Sequence, residues 1–527
     1  MKLILINLYP KETMARYLLS SYVLKAYLNE FFKGEDDLSV DILNFSVEID
    51  ILKICEEIIK VKPDCIGYSC YIWNIEEILN IAKSLKNKLD SVHIFGGPEI
   101  SLDRILSLPD PSLADYYVIG EGERKLLHLI YFLEAKSKGL DAEFPKGVVY
   151  WNNNKINYIE DIDKITNLDE IPSVYLSGVL DDRLYARQQA FMETQRGCRF
   201  KCKFCVYNKN LSSISYYSLQ RIFDELNYLI TKKQIMALRI FDAIFTSDLN
   251  RAKEIVKYLL DLKTGKGIRL PWIYWEFRYD NIDEEFIKLT ALLRYREKIL
   301  NTDDTHPLNR PQHYSDMLKN YTVINSIGIE SFSKQVLNAV GRPSINIEKF
   351  NVFMNMVREY NIVLKIDLIL GLPLETFDSY FEGLEFLLPY FKNTDHILNI
   401  HRLQILPGCD LEGLCDTYGM KYLQNAPHLV ISTRSFPEQE LNYASKLNAV
   451  LFRILNSPLR RHFFDTKERT GESLYRFIEN ILNEITASEE FKKTKLVQND
   501  YVDDVYWNDE IYREIPYQWF IDFFGSH

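Results

Sequence analysis

Apolar positions along this chain recur in two rhythms, and the alternation between them lays out the architecture. Over residues 1–138, short apolar runs at Leu3–Asn7, Ser39–Leu43, Cys65–Ser69, Val92–Phe95 and Tyr116–Ile119 predict strands. Between them, Met14–Phe32, Asn74–Lys88 and Glu123–Lys136 carry helical spacing. Strands separated by helices of this length imply βαβ units with right-handed crossovers, hence a doubly wound, Rossmann-like parallel sheet. The pattern breaks over 139–185. There Val148–Trp151 and Lys155–Ile159 flank Asn152, Asn153 and Asn154, which predicts a hairpin, and Ile171-Pro172-Ser173 predicts a polar connector.

Alternation returns over 186–408. Strands are expected at Ala190–Thr194, Ala237–Phe241, Ile273–Phe277, Val323–Ile329, Val363–Leu370 and Ile397–Gln404. One intervening helix shows Leu219, Ile222, Leu226 and Leu229 on one face; another carries Phe350, Phe353 and Val357 and starts near Asn346, a good N-cap residue. Six βα units predict a partial parallel (β/α)6 barrel, which places ligands at the carboxyl ends of its strands. The polar insert Tyr295–Asn320, with His306, Pro307, Pro311 and His313, reads as a surface loop, or alternatively as a flap over the substrate side. Residues 409–527 read as mainly helical. Their tail crowds Tyr506, Trp507, Tyr512, Tyr517, Trp519, Phe520, Phe523 and Phe524, aromatics expected to pack a small domain rather than roof the barrel. The α/β chain thus divides into 1–140, a linker at 141–185, a barrel at 186–408 and a helical domain at 409–527.

Composition narrows the class. The 527 residues exceed one ordinary domain, and 47% hydrophobic with 26% charged residues is normal globular usage. With 63 basic against 74 acidic residues and a net charge of −11, the balance argues against nucleic acid as the main partner. The apolar run Met1–Asn7 is cut by Tyr9-Pro10-Lys11-Glu12, so no secretory leader is expected. No apolar stretch approaches the roughly 20 residues that span a bilayer. A cytoplasmic setting follows as the expectation, and thiols stay reduced there. Of the eight cysteines, at 55, 65, 70, 198, 202, 205, 409 and 415, only the middle three cluster. Such a cluster in a reducing setting reads as a metal site rather than disulfides. Cys55 and Cys65 read as small buried hydrophobes.

The stretch Thr194-Gln195-Arg196-Gly197-Cys198-Arg199-Phe200-Lys201-Cys202-Lys203-Phe204-Cys205 follows the first barrel strand with the spacing C-x3-C-x2-C. Three thiolates on one loop can hold three irons of a [4Fe–4S] cubane, with the fourth iron left open. Gly197 allows a close backbone turn, Arg199, Lys201 and Lys203 offset the cluster's negative charge, and Phe204 can shield it. The competing reading, structural zinc, wants four closed ligands. No second Cys/His pair lies nearby in sequence, although Cys409 and Cys415 could approach in space.

From Ala190 to Gly408 these residues resemble the radical S-adenosylmethionine (SAM) superfamily. The resemblance implies a partial (β/α)6 barrel whose reduced cluster splits SAM into methionine and a hydrogen-abstracting 5′-deoxyadenosyl radical. It implies SAM contacts at successive strand ends. These are Phe204; Asp242, in a DAIFT segment that departs from the family's Gly-Gly-Glu pattern; Glu276 and Arg278; Glu330 and Ser331; Gly371, for close approach to adenine; and Gln404. Arg278 and Glu330 suit a zwitterion's carboxylate and ammonium. Taken singly, Glu276, Arg278 and Glu330 could instead form an ion pair sealing the barrel mouth; as a set at consecutive strand ends they favour SAM.

The segments Ile66–Asn74, Ile94–Glu99 and Val118–Glu123 resemble the cobalamin-binding class of that superfamily. The implied cobalamin contacts are Ser69, Tyr71, Trp73, Asn74, Gly96, Gly97, Glu99, Gly120, Glu121 and Gly122. The D-x-H-x-x-G motif that gives many cobalamin proteins a cobalt-ligating histidine does not occur, and His93 sits inside a strand. The resemblance therefore leaves the lower face of cobalt open, water-bound or covered by the Tyr68–Asn74 loop. A dinucleotide site would need G-x-G-x-x-G after the first strand, where the chain reads Asn7-Leu8-Tyr9-Pro10.

The implied activity is cobalamin-dependent methyl transfer to an unreactive carbon of a small molecule or peptide. It would be carried out by a monomer served by an external electron donor of flavodoxin or ferredoxin type, with no membrane. Ring closure, ring contraction or another rearrangement is the alternative within the class. An RNA methylthiotransferase would show an extra N-terminal cysteine triplet, and an iron–sulfur sensor would not need the strand-end set.

Overall fold

The computed structural model describes residues 1–10, 17–35, 37–152, 155–161, 164–183, 188–207, 213–293, 322–499 and 511–526. The insert Tyr295–Asn320, the aromatics Tyr506 and Trp507 and the side chain of Tyr512 lie outside these described residues.

The first sheet contains β1 (Lys2–Tyr9), β2 (Ser39–Ser46), β3 (Cys65–Ser69), β4 (Val92–Gly96), β5 (Tyr116–Val118), β6 (Val148–Asn152) and β7 (Lys155–Tyr158). Its spatial order is β2-β1-β3-β4-β5-β6-β7. The first five strands are parallel, while β6 and β7 add antiparallel. The central strands bury nearly every residue, as a sheet covered by helices on both faces must. Helices Leu19–Phe31, Ile75–Lys86 and Glu123–Ser137 supply crossovers. So does Ile51–Val61, whose start Asp50 caps by accepting from the Leu52 amide. The hairpin read as part of the connector is therefore the antiparallel edge of this sheet. The rest of the connector packs on the next domain: Leu168, Ile171, Val174, Tyr175 and Leu180 are buried in the barrel core.

The second layer opens with β8 (Gln189–Met192). A short ribbon, β9 (Gln195–Arg196) against β10 (Ser215–Tyr216), then pinches the base of the cysteine loop. Strands β11 (Ala237–Ile240), β12 (Trp272–Phe277), β13 (Val323–Glu330), β14 (Leu364–Leu370) and β15 (Ile397–Arg402) follow. With β8 they form one parallel sheet in sequence order, the expected partial barrel. Period-two alternation splits each strand. Leu238, Ile240, Ile273, Trp275, Ile327 and Ile366 face the helices, and Trp275 stacks on Phe245 at 4.7 Å between ring centroids. Their neighbours Arg239, Tyr274, Glu276, Ser326, Lys365, Asp367, Asn399 and His401 line the lumen. Ile324, Val363 and Ile397 form a separate apolar cluster.

The C-terminal region carries a ribbon of β16 (Lys421–Tyr422) and β17 (Val430–Ser432). Helices Glu438–Leu455, Leu459–Thr470, Leu474–Ala487 and Tyr517–Ser526 follow. Buried Asn456 takes the place of a strand partner for β15. Its Oδ1 accepts from the Leu398 amide at 2.9 Å and its Nδ2 donates to the Leu398 carbonyl at 2.7 Å. Trp519, Phe520, Phe523 and Phe524 pack with Phe463, Phe477 and Phe491 inside this domain. Among the described residues no helix is long and apolar enough to cross a membrane.

Candidate active site between the two sheets

The carboxyl ends of both sheets meet across a cavity of about 540 Å³. The first sheet contributes Ser69, Tyr71, Gly96, Gly97, Gly120, Glu121 and Gly122 to its wall; the barrel contributes Glu193, Arg196, Val206, Tyr207, Phe241 and Gly408. Seven of the ten residues implied for cobalamin thus line one space, opposite the segment that follows Cys205. The wall on the first-sheet side is a glycine cradle. Gly97 has φ +115°, and a Cβ there would lie 2.5 Å from the Cys70 carbonyl oxygen. Only glycine lets the β3 and β4 loops close on each other in this way.

The other three implied contacts hold that wall rather than line it. Asn74 is fully buried; its Oδ1 accepts from the Tyr71 amide at 2.8 Å, and its Nδ2 donates to the Leu8 and Ser69 carbonyls. Trp73 stacks on Tyr71 at 4.3 Å and donates to the Leu8 carbonyl. Glu99 is buried against Arg104. His93 is also buried, with Nδ1 at 3.1 Å from the Tyr68 hydroxyl, and burial pushes its pKa down to about 4.

The cysteine loop leaves β9 through Gly197, at φ +107°, and presents Cys198, Cys202 and Cys205 half-buried. Burial pushes the Cys205 thiol up to about 11, and Cys202 and Cys198 each bear on it electrostatically, so the three sulfurs share one neighbourhood. Among the described residues, no three His, Cys, Asp or Glu side chains converge on a single-ion site. A tetrahedral zinc needs that convergence, whereas a cubane takes each thiolate at a different corner. Thiol chemistry, loop spacing and an open approach all fit the cluster. Cys409 and Cys415 are buried, on a segment tied to the loop by the Leu411 amide donating to the Lys203 carbonyl at 2.8 Å.

Two arginines press on this loop. Arg278 lies over the Phe200 ring at 4.4 Å and is held by Asp280 through bonds of 2.9 and 2.7 Å. Arg342 donates to Cys202 Sγ at 3.6 Å, to the Gly328 carbonyl at 2.6 Å, and pairs with Glu330 at 3.2 Å. Gly328 leaves room for this pair, because a Cβ there would meet Glu330 Oε1 at 2.5 Å. Sequence reasoning missed Arg342, which follows a helix rather than a strand. Its signal is the Gly341-Arg342-Pro343 turn, where the Val340 carbonyl accepts from the Lys203 amide at 2.9 Å.

The remaining implied SAM residues divide by position. Glu276 is exposed in the lumen and accepts from the Tyr274 hydroxyl at 2.9 Å. Phe204 is half-buried against the barrel core. Asp242 faces inward. Its carboxylate accepts from the Thr194 amide at 2.7 Å, the Thr194 hydroxyl and the Gln195 amide, and burial raises its pKa to about 7. It braces the root of the cysteine loop. Ser331 donates to buried Glu375 at 2.6 Å, a carboxyl raised to about 8 by burial. At Gly371 a Cβ would meet Leu441 at 3.4 Å, so this glycine admits the C-terminal helix. Gln404 bridges to Leu429. Lower in the lumen, Asp367 accepts from Lys365 at 2.9 Å, from Ser326 and Asn399 at 2.5 Å, and faces His401 at 3.4 Å. Although burial opposes it, Lys365 and His401 hold this carboxyl well below the usual range.

A doubly wound domain facing a partial barrel across such a cavity defines a class, and comparison with known proteins gives the same one. Residues 22–130 match the B12 binding domain and residues 192–387 the radical SAM superfamily. The cobalamin-dependent radical SAM methyltransferase TokK of Streptomyces tokunonensis is 25% identical over 362 residues, 67% of this chain and 48% of that protein. The chain spans about half the length of the curated relatives it matches. The fold is similar to that of the radical SAM methyltransferase TsrM from Kitasatospora setae, solved with cobalamin and a [4Fe–4S] cluster bound. That match has a TM-score of 0.60 at 13% identity, over 88% of this chain and 90% of that one. It is also similar to the cobalamin-dependent SAM radical enzyme OxsB, with a TM-score of 0.63 at 16% identity, over 100% of this chain and 79% of that one. The chain belongs to the cobalamin-binding class of the radical SAM superfamily.

Proposed function

We propose that this chain is a methyltransferase that places a methyl group on an unactivated carbon of a small molecule or peptide, using a [4Fe–4S] cluster, SAM and cobalamin. The observation that carries the reading is the shared cavity: Gly97 and Gly120 on one wall, Val206 and Tyr207, directly after Cys205, on the other. When bound, the cluster with SAM supplies a hydrogen-abstracting radical and cobalamin supplies the methyl group. The protein's own part is positioning. Cys198, Cys202 and Cys205 would hold the cluster, with Arg342 beside Cys202 offsetting its charge. Glu276 offers a carboxylate to the SAM ammonium from the lumen wall. Ser69, Tyr71 and the three glycine-bearing loops would cradle the corrin. Phe241 and Tyr207 keep water from the space between. An external one-electron donor would have to supply the reducing electron.

Anaerobic incubation with SAM, dithionite and cellular extract as substrate source tests the reading. Deoxyadenosine together with a methylated product is expected. Deoxyadenosine without any methylated product would favour a rearrangement, and neither product would end the assignment.

A further inference from the structure

The lumen holds a cation that the cofactor reading does not employ. Arg239, on β11, points inward and is exposed there. Its guanidinium lies 4.6 Å from the centroid of the Tyr274 ring and 5.5 Å from that of Phe241. Among the described residues, no carboxylate pairs with it. Lys365 also lies by the Tyr274 ring, at 5.8 Å, but Asp367 already neutralises it at 2.9 Å. Glu276 lies one layer nearer the carboxyl ends, where the reading above gives it to the SAM ammonium. Tyr274 spends its hydroxyl on Glu276. Across the lumen Ile324, Val363 and Ile397 form an apolar cluster, with Ile324 in register with Tyr274. An unneutralised guanidinium over aromatic faces, two residues before the cavity-lining Phe241 on the same strand, can take an anion.

We infer that Arg239 anchors a carboxylate of the substrate in the barrel lumen, so that the enzyme takes a carboxylate-bearing small molecule whose reacting carbon lies above the Phe241 ring. Phe241 connects the two regions: it lines the cobalamin cavity, stacks on Phe191 at 4.7 Å and contacts Arg239. Two residues along a strand span about 7 Å, which sets the distance from carboxylate to reacting carbon. The planar fork of arginine matches a carboxylate in two parallel bonds, and the aromatic neighbours favour a flat or apolar body behind it. This inference rests on the proposed function for its cofactor layer, but its chemistry is separable.

The test uses cobalamin- and cluster-loaded protein and 3-phenylpropionate as probe, with 3-phenylpropionamide and 3-phenylpropylphosphonate as controls, read by calorimetry. Saturable binding of the carboxylate, absent for the amide and weakened at least tenfold in Arg239→Gln, with partial recovery in Arg239→Lys, is the expected result. Phosphonate binding tighter than that of the carboxylate would overturn the carboxylate assignment, as would carboxylate binding unchanged in Arg239→Gln or absent from the wild type. Iron and corrin contents equal to wild type in Arg239→Gln show that the variant is folded. Loss of SAM cleavage by the wild type would instead strike the proposed function and leave the anion site standing.

Discussion

At the residue scale, the loop that carries the sulfurs is held by groups with sharply shifted proton affinities. Burial lifts Asp242 from the ordinary 3.8 to about 7, against the pull of its Thr194 and Gln195 donors. A folded-state value above the unfolded one favours the protonated form in the native state. The stability this contributes is complete below about pH 4 and is lost as pH rises through about 7. Asp242→Asn keeps an acceptor for the two amides and removes the titration. Unfolding free energies from urea titration should therefore rise for the variant relative to wild type between about pH 4 and pH 7, by up to about 1.4 kcal/mol per pH unit, and level off above. A constant difference would contradict the assignment. The Arg342–Glu330 pair gives a second measurement. Removing one partner strands a buried charge, so Arg342→Met should cost about 3–5 kcal/mol, and adding Glu330→Met should restore most of it. The single variant should also drive the cluster's midpoint potential more negative, because a cation leaves Cys202. A potential equal to wild type would show that Arg342 is merely structural.

At the scale of elements, function concentrates where strand ends converge, and one glycine tests that convergence. Gly97 brings the end of β4 against the backbone of Cys70. Gly97→Ala must move one loop or the other and hold an alanine at positive φ, at a cost of about 1–3 kcal/mol. Corrin absorbance retained after desalting should fall by most of its value while iron content stays, since the cysteine loop lies on the other domain. How much of this was legible beforehand follows from the same geometry. All six barrel strands and the cysteine spacing were legible, because a strand's apolar run and a loop's ligand spacing are local patterns. The strand-end polar residues were legible as a set but not in role. Asp242 looks the same in sequence whether it faces SAM or, as here, the amides of Thr194 and Gln195. Gly371 reads as room for a flat base, yet the space is taken by Leu441, seventy residues downstream. Arg342 was invisible because its partner Cys202 lies 140 residues away. Tertiary contacts of that separation leave no periodicity to read.

At the scale of the whole molecule, the reaction space exists only while the two domains stay together, and one arginine bridges carboxylates of both. Arg196, two residues before Cys198, reaches Glu121 at 2.8 Å and Glu123 at 3.1 Å on the first domain, and Glu193 at 3.0 Å on its own. One cation thus serves three carboxylates, and all four groups line the cavity. Burial raises Glu193, and the surplus negative charge bears on it through Glu123 and Glu121. Replacing Arg196 with alanine leaves three carboxylates facing one another, and their repulsion acts directly across the domain boundary. Arg196→Ala should therefore bind its cluster, since the cysteines are intact, but release cobalamin on gel filtration and show a larger radius of gyration by small-angle scattering. Arg196→Lys, keeping the charge without the fork, should lie between the two, because an ammonium cannot bridge three carboxylates in one plane. Adding Glu121→Gln and Glu123→Gln to the alanine variant removes the repulsion and should return much of the compaction. If corrin retention and dimensions matched wild type in Arg196→Ala, other contacts across the boundary, such as Tyr17 against Phe191 at 5.5 Å between ring centroids, would be sufficient to hold the domains, and the ion cluster would be a bystander to their assembly.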